Sequence, residues 1–387
     1  MENIFSDLSI ILVGAALLSF IAALLKQPIL IAYIACGVIV GPWGAGWVKN
    51  VAFLEGVSHF GITLLLFLAG LCLHPQKLIG LFKKTSLIAL ANCFVSFCVA
   101  FGFAFFTKFS LIDSICIGLA LMFSSTILVV KLLPTTRLHH DKMGAVCISI
   151  LILEDLLAVA VLVLIRSLNA YGSLFIDFWS LVVKFCIFIA ILALAERFVI
   201  RKIMWRIERI HEALFIVGLA WCFGVASISH QMGLFCETGA FFAGVVMARH
   251  KISFFISERL KPVRDFFLVL FFFSLGAGLD LFKLKEVILP ALVLAVIFIV
   301  MKARLFKKLF VLSGEQNAFS EEIGVRLAQL SEFSLLIAIM AFQLGHITAA
   351  ASQLIQLVTI LTFIISSYIV VYKYPTPIGT SEKLIRD

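Results

Sequence analysis

Long apolar runs alternate with short polar connections along almost the whole chain. Thirteen such segments can be delimited, and most are long enough to cross a bilayer, which takes about 20 apolar residues. The pattern predicts an all-α membrane protein with about thirteen transmembrane helices. The segments cover residues 4–24, 29–47, 57–73, 86–106, 113–133, 143–165, 176–198, 212–229, 233–248, 266–282, 287–306, 321–342 and 351–372.

The sixth segment, 143–165, carries two adjacent acids, Glu154 and Asp155, near its middle. A charge at that depth costs several kcal/mol, so the acids need partners, water or a function. Two interpretations are open. The pair is either buried and salt-bridged and serves packing, or it binds a proton or a cation in a transporter, because intramembrane acids commonly mark ion pathways.

Two other segments contain polar side chains in the middle of an apolar run. If these helices are interrupted, freed carbonyls and hydroxyls can coordinate a cation, as in many transporters. If they are regular, the hydroxyls only bond to their own backbone. The fifth segment has Ser124, Ser125, Thr126 and then Pro134, and the twelfth has Arg326, Gln329, Ser331 and Glu332.

Lys302 is a further basic residue inside an apolar segment, the eleventh. It either extends to the membrane interface or turns inward to pair with Glu154 or Asp155. In the twelfth segment, Arg326 and Glu332 are six residues apart, so they are not neighbours on one helix face and each needs a partner elsewhere.

A weak internal similarity predicts an inverted repeat. Residues 61–78 and 267–284 share a Leu/Phe-rich run, a glycine, Leu-x-Leu and a polar exit. Seven segments separate such pairs, and an odd number inverts the second copy, as in many secondary transporters. We predict one membrane domain with repeat one at 4–165, a linker helix at 176–198 and repeat two at 212–372.

Composition supports a multi-pass membrane protein. Of the 387 residues, 63% are hydrophobic and 14% are charged, whereas a typical soluble protein has about a quarter charged. No room remains for a sizeable soluble domain. The net charge of +9 does not indicate nucleic-acid binding, because the basic residues concentrate in alternate loops. Their distribution predicts an N-terminus outside and a C-terminus in the cytoplasm.

Other signals exclude further classes. The nine cysteines form no CxxC pair, so we expect neither disulfides nor a resident metal. The N-terminus lacks a basic region and cleavage site, so no removed signal peptide is expected. His-Glu-x-x-His and Gly-x-Ser-x-Gly motifs do not occur, which argues against an enzyme. We expect no cofactor.

Five motifs, in order, resemble the membrane domain of Kef-type potassium/proton antiporters, within the monovalent cation:proton antiporter superfamily. The resemblance covers about residues 5–372. The motifs are Phe-Ser-Ser-Thr-Ile at 123–127, Leu-Glu-Asp-Leu-Leu-Ala at 153–158, Gly-Ala-Phe-Phe-Ala-Gly-Val at 239–245, Phe-Phe-Ser-Leu-Gly-Ala-Gly-Leu-Asp at 272–280 and Gln-Leu-Ser-Glu-Phe-Ser at 329–334.

The resemblance implies exchange of K⁺ or Na⁺ for H⁺ across the plasma (inner) membrane. Asp155 would be the ion-carrying aspartate, and Lys302 would pair with an acidic neighbour. The fifth and twelfth segments would be crossed broken helices in a core domain beside a dimerisation domain. A homodimer and an elevator-like movement of the core would follow.

Two departures from the Kef pattern leave ion choice and stoichiometry open. Typical Kef proteins have Gln before the aspartate, where this chain has Glu154, and electrogenic sodium/proton relatives have two acids there. The sequence ends at Asp387 without a GxGxxG nucleotide-binding motif, so the resemblance does not extend to nucleotide gating, and a separate cytoplasmic regulatory subunit is left open as a partner. A channel-like cation pathway and a membrane sensor are the alternative functions.

Overall fold

The structure, a computed structural model, describes residues 2–25, 27–48, 51–71, 75–134, 142–167, 174–203, 211–234, 236–248, 250, 253–279 and 287–377. This part of the chain is helical, with no strand. Its fifteen α-helices are α1 Glu2–Leu24, α2 Ile29–Val40, α3 Val51–Leu71, α4 Pro75–Phe106, α5 Leu111–Ala120, α6 Thr126–Leu132, α7 Lys142–Ser167, α8 Leu174–Ala195, α9 His211–Gln231, α10 Cys236–Met247, α11 Ser253–Ala277, α12 Ile288–Leu312, α13 Asn317–Arg326, α14 Glu332–Gln343 and α15 Ala349–Lys373.

Six of the described helices are long and apolar enough to cross a membrane. Each of them overlaps one of the thirteen apolar segments in the sequence. Five shorter apolar helices overlap others, so the all-helical membrane character is confirmed while the count of thirteen spans stays a prediction. The six are Phe5–Leu24, Thr85–Phe106, Lys142–Leu162, Leu214–Gln231, Ile288–Leu312 and Ala349–Lys373.

The fifth and twelfth apolar segments each contain two short helices. Helices α5 and α6 are separated by non-helical residues 121–125, and α13 and α14 by residues 327–331. Each second helix begins at a serine cap: Ser125 Oγ accepts from Leu128 N in α6, and Ser331 Oγ accepts from Phe333 N in α14. Serine at this position satisfies an amide that the helix itself leaves unpaired.

The chain divides into two compact units. Unit 1 comprises Met1–Val51, Leu81–Asn169 and Phe272–Asp387, and unit 2 comprises Ala52–Gly80 and Ala170–Phe271. In unit 1, α14 packs against α5, α7 and α15, while α12 packs against α13 and α15. In unit 2, α9 packs against α10 around buried side chains of α3, α8 and α11. All the polar segment residues singled out above lie in unit 1. The division into two repeats and a linker stays a prediction.

A pair of glycines in unit 1 lets α2 and the last turns of α11, which belong to that unit, approach closely. A Cβ added to Gly37 in α2 would collide with the carbonyl of Phe273 in α11, and one added to Gly276 in α11 would collide with the carbonyl of Ile34. Hydrogen is therefore the only side chain that fits at either position without moving a backbone.

Unit 2 contains a matching glycine pair between α3 and α10. A Cβ on Gly70 would meet the carbonyl of Phe241, and one on Gly244 would meet the carbonyl of Phe67. Small residues at membrane helix contacts allow this kind of close packing.

We expect Gly276→Ala and Gly244→Ala to destabilise the protein by about 1–3 kcal/mol, the usual cost of overpacking a tight contact. Gly102 in α4 is the matched control, because nothing lies within 4 Å of its added Cβ. Gly102→Ala should be neutral or stabilising by up to about 1 kcal/mol through helix propensity. Thermal unfolding of the purified variants in detergent measures the difference, and equal effects for all three would contradict the prediction.

Candidate functional site

The two helix interruptions meet the acidic pair of α7. Ser124 in the first interruption contacts Glu154, and Thr126, the first residue after it, contacts Asp155. Glu332, the first residue after the second interruption, contacts Ser125. The structure therefore brings together side chains from the fifth, sixth and twelfth apolar segments. In a membrane, such non-helical backbone is tolerated only where protein or a water-filled cavity satisfies its polar groups.

Glu154 is held by donors on two sides. It is 0% exposed. Asn92 Nδ2 of α4 donates to its Oε1 at 2.9 Å, and Ser124 N donates to its Oε2 at 2.6 Å. Both oxygens of this carboxylate therefore accept a hydrogen bond from a group within the protein.

Lys302 points inward and is 0% exposed. Its Nζ donates to Phe123 O at 3.0 Å and to Ser124 Oγ at 2.9 Å. Ser124 thus lies between Lys302 and Glu154, with its hydroxyl on the lysine and its amide on the carboxylate. Among the described contacts, the lysine reaches the acid through this serine rather than through a direct ion pair.

Asp155 differs from its neighbour because its side chain is partly exposed. A single hydroxyl, Thr126 Oγ1, contacts both carboxylate oxygens, at 3.3 Å from Oδ1 and 3.1 Å from Oδ2. Thr126 is the first residue of α6, so the second half of the broken helix places its hydroxyl against the carboxylate.

Glu332 begins α14 and is 2% exposed. Ser125 Oγ donates to its Oε2 at 2.8 Å, and Ile127 N donates to its Oε1 at 3.4 Å. The acid therefore satisfies an amide that the first turn of α6 leaves unpaired. Ser334, two residues later, donates to Ala120 O at the end of α5 at 2.6 Å, which ties the two interrupted segments together.

Two polar side chains of α15 form hydrogen bonds with the second interruption. Gln329 Oε1 accepts from Ser366 Oγ of α15 at 3.0 Å. Thr362 Oγ1, also on α15, accepts from Leu330 N at 3.1 Å. Together with the Ser331 cap, these contacts stabilise the non-helical stretch between α13 and α14.

Arg326 lies apart from the acidic cluster, at the end of α13, and is 2% exposed. Its guanidinium forms an ion pair with Glu322 at 2.8 Å. It also donates to Leu132 O, the last residue of α6, at 3.0 Å and to Pro375 O at 2.9 Å. The arginine therefore links one half-helix of each interrupted segment to the chain that follows α15.

We expect Arg326→Met to destabilise the protein by about 3–5 kcal/mol, because it leaves Glu322 without its charged partner in a mostly buried position. Arg304 of α12 offers a control, since its side chain is less buried, and Arg304→Met should have a much smaller effect. The free energies follow from thermal unfolding in detergent. Equal unfolding temperatures for the two variants would show that the Arg326 contacts contribute little.

Three residues of the site escaped the sequence analysis. Asn92, Thr362 and Ser366 are uncharged polar residues in long apolar helices, where an intrahelical hydrogen bond explains a polar side chain equally well. An amide such as Asn92 in a membrane span is a signal that it has an interhelical partner. Nothing in the sequence indicates that the partner is Glu154, because 62 residues separate the two.

The arrangement offers one accessible carboxylate within a buried polar network. Asp155 can accept a proton or bind a cation, and the broken helices supply hydroxyls and carbonyls nearby. Within the described residues, no group of three or more His, Cys, Asp or Glu could hold a metal ion. Interrupted half-helices around intramembrane acids are characteristic of secondary transporters.

A family comparison agrees with this class. The chain belongs to the sodium/hydrogen exchanger transmembrane family, whose profile matches residues 8–371. This is a family of transporters, not of enzymes, and it confirms the resemblance to monovalent cation:proton antiporters seen in the motifs.

Several relatives are similar over most of the chain. The iron transporter MagA of Paramagnetospirillum magneticum is 28% identical across 93% of this chain and 83% of its own length. The putative cation/proton antiporter YbaL of Escherichia coli is 28% identical across 92% of this chain and 66% of its length. K(+) efflux antiporter 4 of Arabidopsis thaliana is 27% identical across 92% and 61%. The chain thus spans less than two thirds of the length of the latter two.

The fold resembles that of a solved antiporter. The sodium proton antiporter MjNhaP1 from Methanocaldococcus jannaschii superposes with a TM-score of 0.70, covering 95% of this chain and 96% of that one. The sequence identity is 16%, so the likeness concerns the fold alone.

Proposed function

We propose that this protein exchanges a monovalent cation, K⁺ or Na⁺, for protons across a membrane, with Asp155 as the carrier. The observation that carries the proposal is that Asp155 is a partly exposed carboxylate in the middle of an apolar helix. Its partner is a hydroxyl at the break of the fifth segment. Membership of the exchanger family supports the same reaction.

The mechanism is competition for one carboxylate. From one side of the membrane, a cation binds ionised Asp155 with help from the Thr126 hydroxyl and neighbouring backbone carbonyls. When the site faces the other side, a proton replaces the cation. Because the two ligands exclude each other at the same oxygens, their fluxes are coupled without a separate gate.

The chemistry of the site favours a monovalent cation over iron, the ion in the name of one relative. Iron sites in proteins use several His, Cys or carboxylate ligands. Within the described residues, no such group of three exists. The names of other relatives specify cation/proton and K⁺ efflux antiport, and the choice between K⁺ and Na⁺ is part of the test below.

The proposed architecture comprises thirteen transmembrane helices in two inverted repeats joined by a linker helix. The two glycine contacts support it: the repeat offset relates α2 to α10 and α3 to α11. Under this relation, the Gly37–Gly276 contact corresponds to the Gly70–Gly244 contact. A homodimer in the plasma membrane, with the N-terminus outside and the C-terminus cytoplasmic, and a separate regulatory subunit are also part of this proposal.

The decisive experiment measures cation-driven proton movement. The purified chain is reconstituted into liposomes containing a pH dye, a proton gradient is set, and K⁺, Na⁺ or Fe²⁺ is added outside. We expect K⁺ or Na⁺ to dissipate the gradient with a saturable dependence on concentration, whereas Fe²⁺ and choline should not.

Two other outcomes would replace the proposal. Cation flux that does not saturate and moves no protons would indicate a channel-like pathway. No cation-dependent proton movement with any ion would contradict exchange by this chain and would favour a sensor role.

A further inference from the structure

Glu154 and Asp155 are neighbours in sequence, but their oxygens are bound in different ways. Glu154 accepts an N–H donor on each oxygen, Asn92 on one and Ser124 on the other. Asp155 shares one hydroxyl, that of Thr126, between its two oxygens. A proton or a cation can therefore reach Asp155 beside a single hydroxyl contact, whereas each oxygen of Glu154 already accepts an N–H group.

A basic group lies close to Glu154 within the protein. Ser124 connects it to Lys302, since its amide donates to the carboxylate and its hydroxyl accepts from the ammonium group. Glu154 and Lys302 are both 0% exposed. Separating opposite charges in such a site leaves each without compensation, which is strongly unfavourable. We therefore expect Glu154, Ser124 and Lys302 to stay in contact throughout the transport cycle.

The third carboxylate of the site is also engaged. Glu332 accepts from Ser125 on one oxygen and from Ile127 N on the other, and it is 2% exposed. Of the three acids in the described site, Asp155 alone combines partial exposure with oxygens that accept no N–H donor among the described contacts.

We propose that Glu154 is a fixed structural anion held by the positioning residue Asn92, so that one cation is exchanged for one proton and no net charge crosses the membrane. This inference rests on the proposed exchange function. In one direction Asp155 travels as a carboxylate with a bound cation, and in the other as a neutral carboxylic acid. The charge of the moving site is the same in both directions, although the chain has two adjacent acids.

The stoichiometry can be measured as a point of zero flux. The full chain is reconstituted, a tenfold gradient of the transported cation is imposed, and the membrane potential is held at zero with an ionophore for an ion that the protein does not carry. If one proton is exchanged per cation, the net flux stops at an opposing pH difference of about one unit. If two protons are exchanged per cation, it stops at about half a unit. We expect about one unit, with no change when a potential is applied.

A zero-flux point near half a unit, or one that moves with the potential, would overturn the inference while leaving cation/proton exchange intact. If no coupled flux is found at all, the proposed function itself fails. The liposome assay shows this before the zero-flux point is measured. The wild-type measurement therefore decides the stoichiometry without depending on how any variant folds.

Two variants test the assigned roles. Glu154→Gln combined with Lys302→Gln removes both buried charges together, and we expect it to retain exchange at a reduced rate with the same zero-flux point. A monodisperse double variant without exchange would show that Glu154 takes part in carrying the ion. Asn92→Ala should lower turnover while leaving the half-saturating cation concentration unchanged, and wild-type turnover would remove Asn92 from the positioning role.

Discussion

Replacing Asp155 with asparagine should reduce cation-driven proton flux to the level of protein-free liposomes. Asparagine keeps the size of the side chain and an oxygen for the Thr126 hydroxyl, which contacts the carboxylate at 3.1 Å. It has no negative charge to attract a cation, and its amide does not exchange a proton at physiological pH. The carrier is lost while the packing around it is preserved, and the liposome dye assay measures the result.

The control for Asp155→Asn is an acid outside the polar cluster. Glu258 of α11 has a side chain that is 43% exposed and pairs with Lys261, so Glu258→Gln should leave exchange unchanged. Thermal unfolding must show that Asp155→Asn is folded. If a folded Asp155→Asn protein still couples cation and proton fluxes, Asp155 is not the carrier.

Lys302→Met should cause a large loss of stability, about 3–5 kcal/mol, because it removes one member of a buried pair of charges. Methionine fits the space of the lysine stem. Without the ammonium group of Lys302, the Glu154 carboxylate has no nearby positive charge among the described residues. Phe123 O and Ser124 Oγ also lose the donor that lies at 3.0 and 2.9 Å. Chemical or thermal unfolding of the purified protein in detergent measures the effect.

The same helix offers a matched control for Lys302. Lys307 lies five residues further along α12, where its side chain is 40% exposed and pairs with the exposed Glu321. Exposed ion pairs contribute little, so Lys307→Met should change stability only slightly. Adding Glu154→Gln to Lys302→Met should recover a substantial part of the loss. A Lys302→Met protein as stable as Lys307→Met would mean that the lysine does not compensate Glu154.

The acids of the site illustrate how far the sequence can be interpreted. Glu154 and Asp155 stand out because a charged pair in an apolar segment is costly wherever it lies in the fold. Their different surroundings could not be predicted, because the distinction depends on Asn92, 62 residues before Glu154, and on Lys302, far beyond it in sequence. Contacts of that range are created by helix packing and leave no local pattern.

The interrupted helices could be predicted in part from the sequence. Ser125 and Ser331 are polar residues in the middle of apolar runs, and their residue type indicates where a helix can begin. Whether a membrane helix is interrupted, however, depends on partners for the freed backbone groups. For Leu330 N the partner is Thr362, and for Phe123 O it is Lys302; both come from other helices.

The sequence by itself determined the helical membrane class, the acidic pair at its centre and the family to which the chain belongs. These follow from hydrophobic length, from the cost of intramembrane charge and from local motifs, all of which are properties of contiguous residues. Only the tertiary structure decided that Lys302 reaches Glu154 through Ser124, that Glu332 is bound to the start of α6 and that Asp155 stays partly exposed. Those outcomes depend on which helices pack together, because burial and hydrogen-bond partners in a membrane protein are supplied by distant segments.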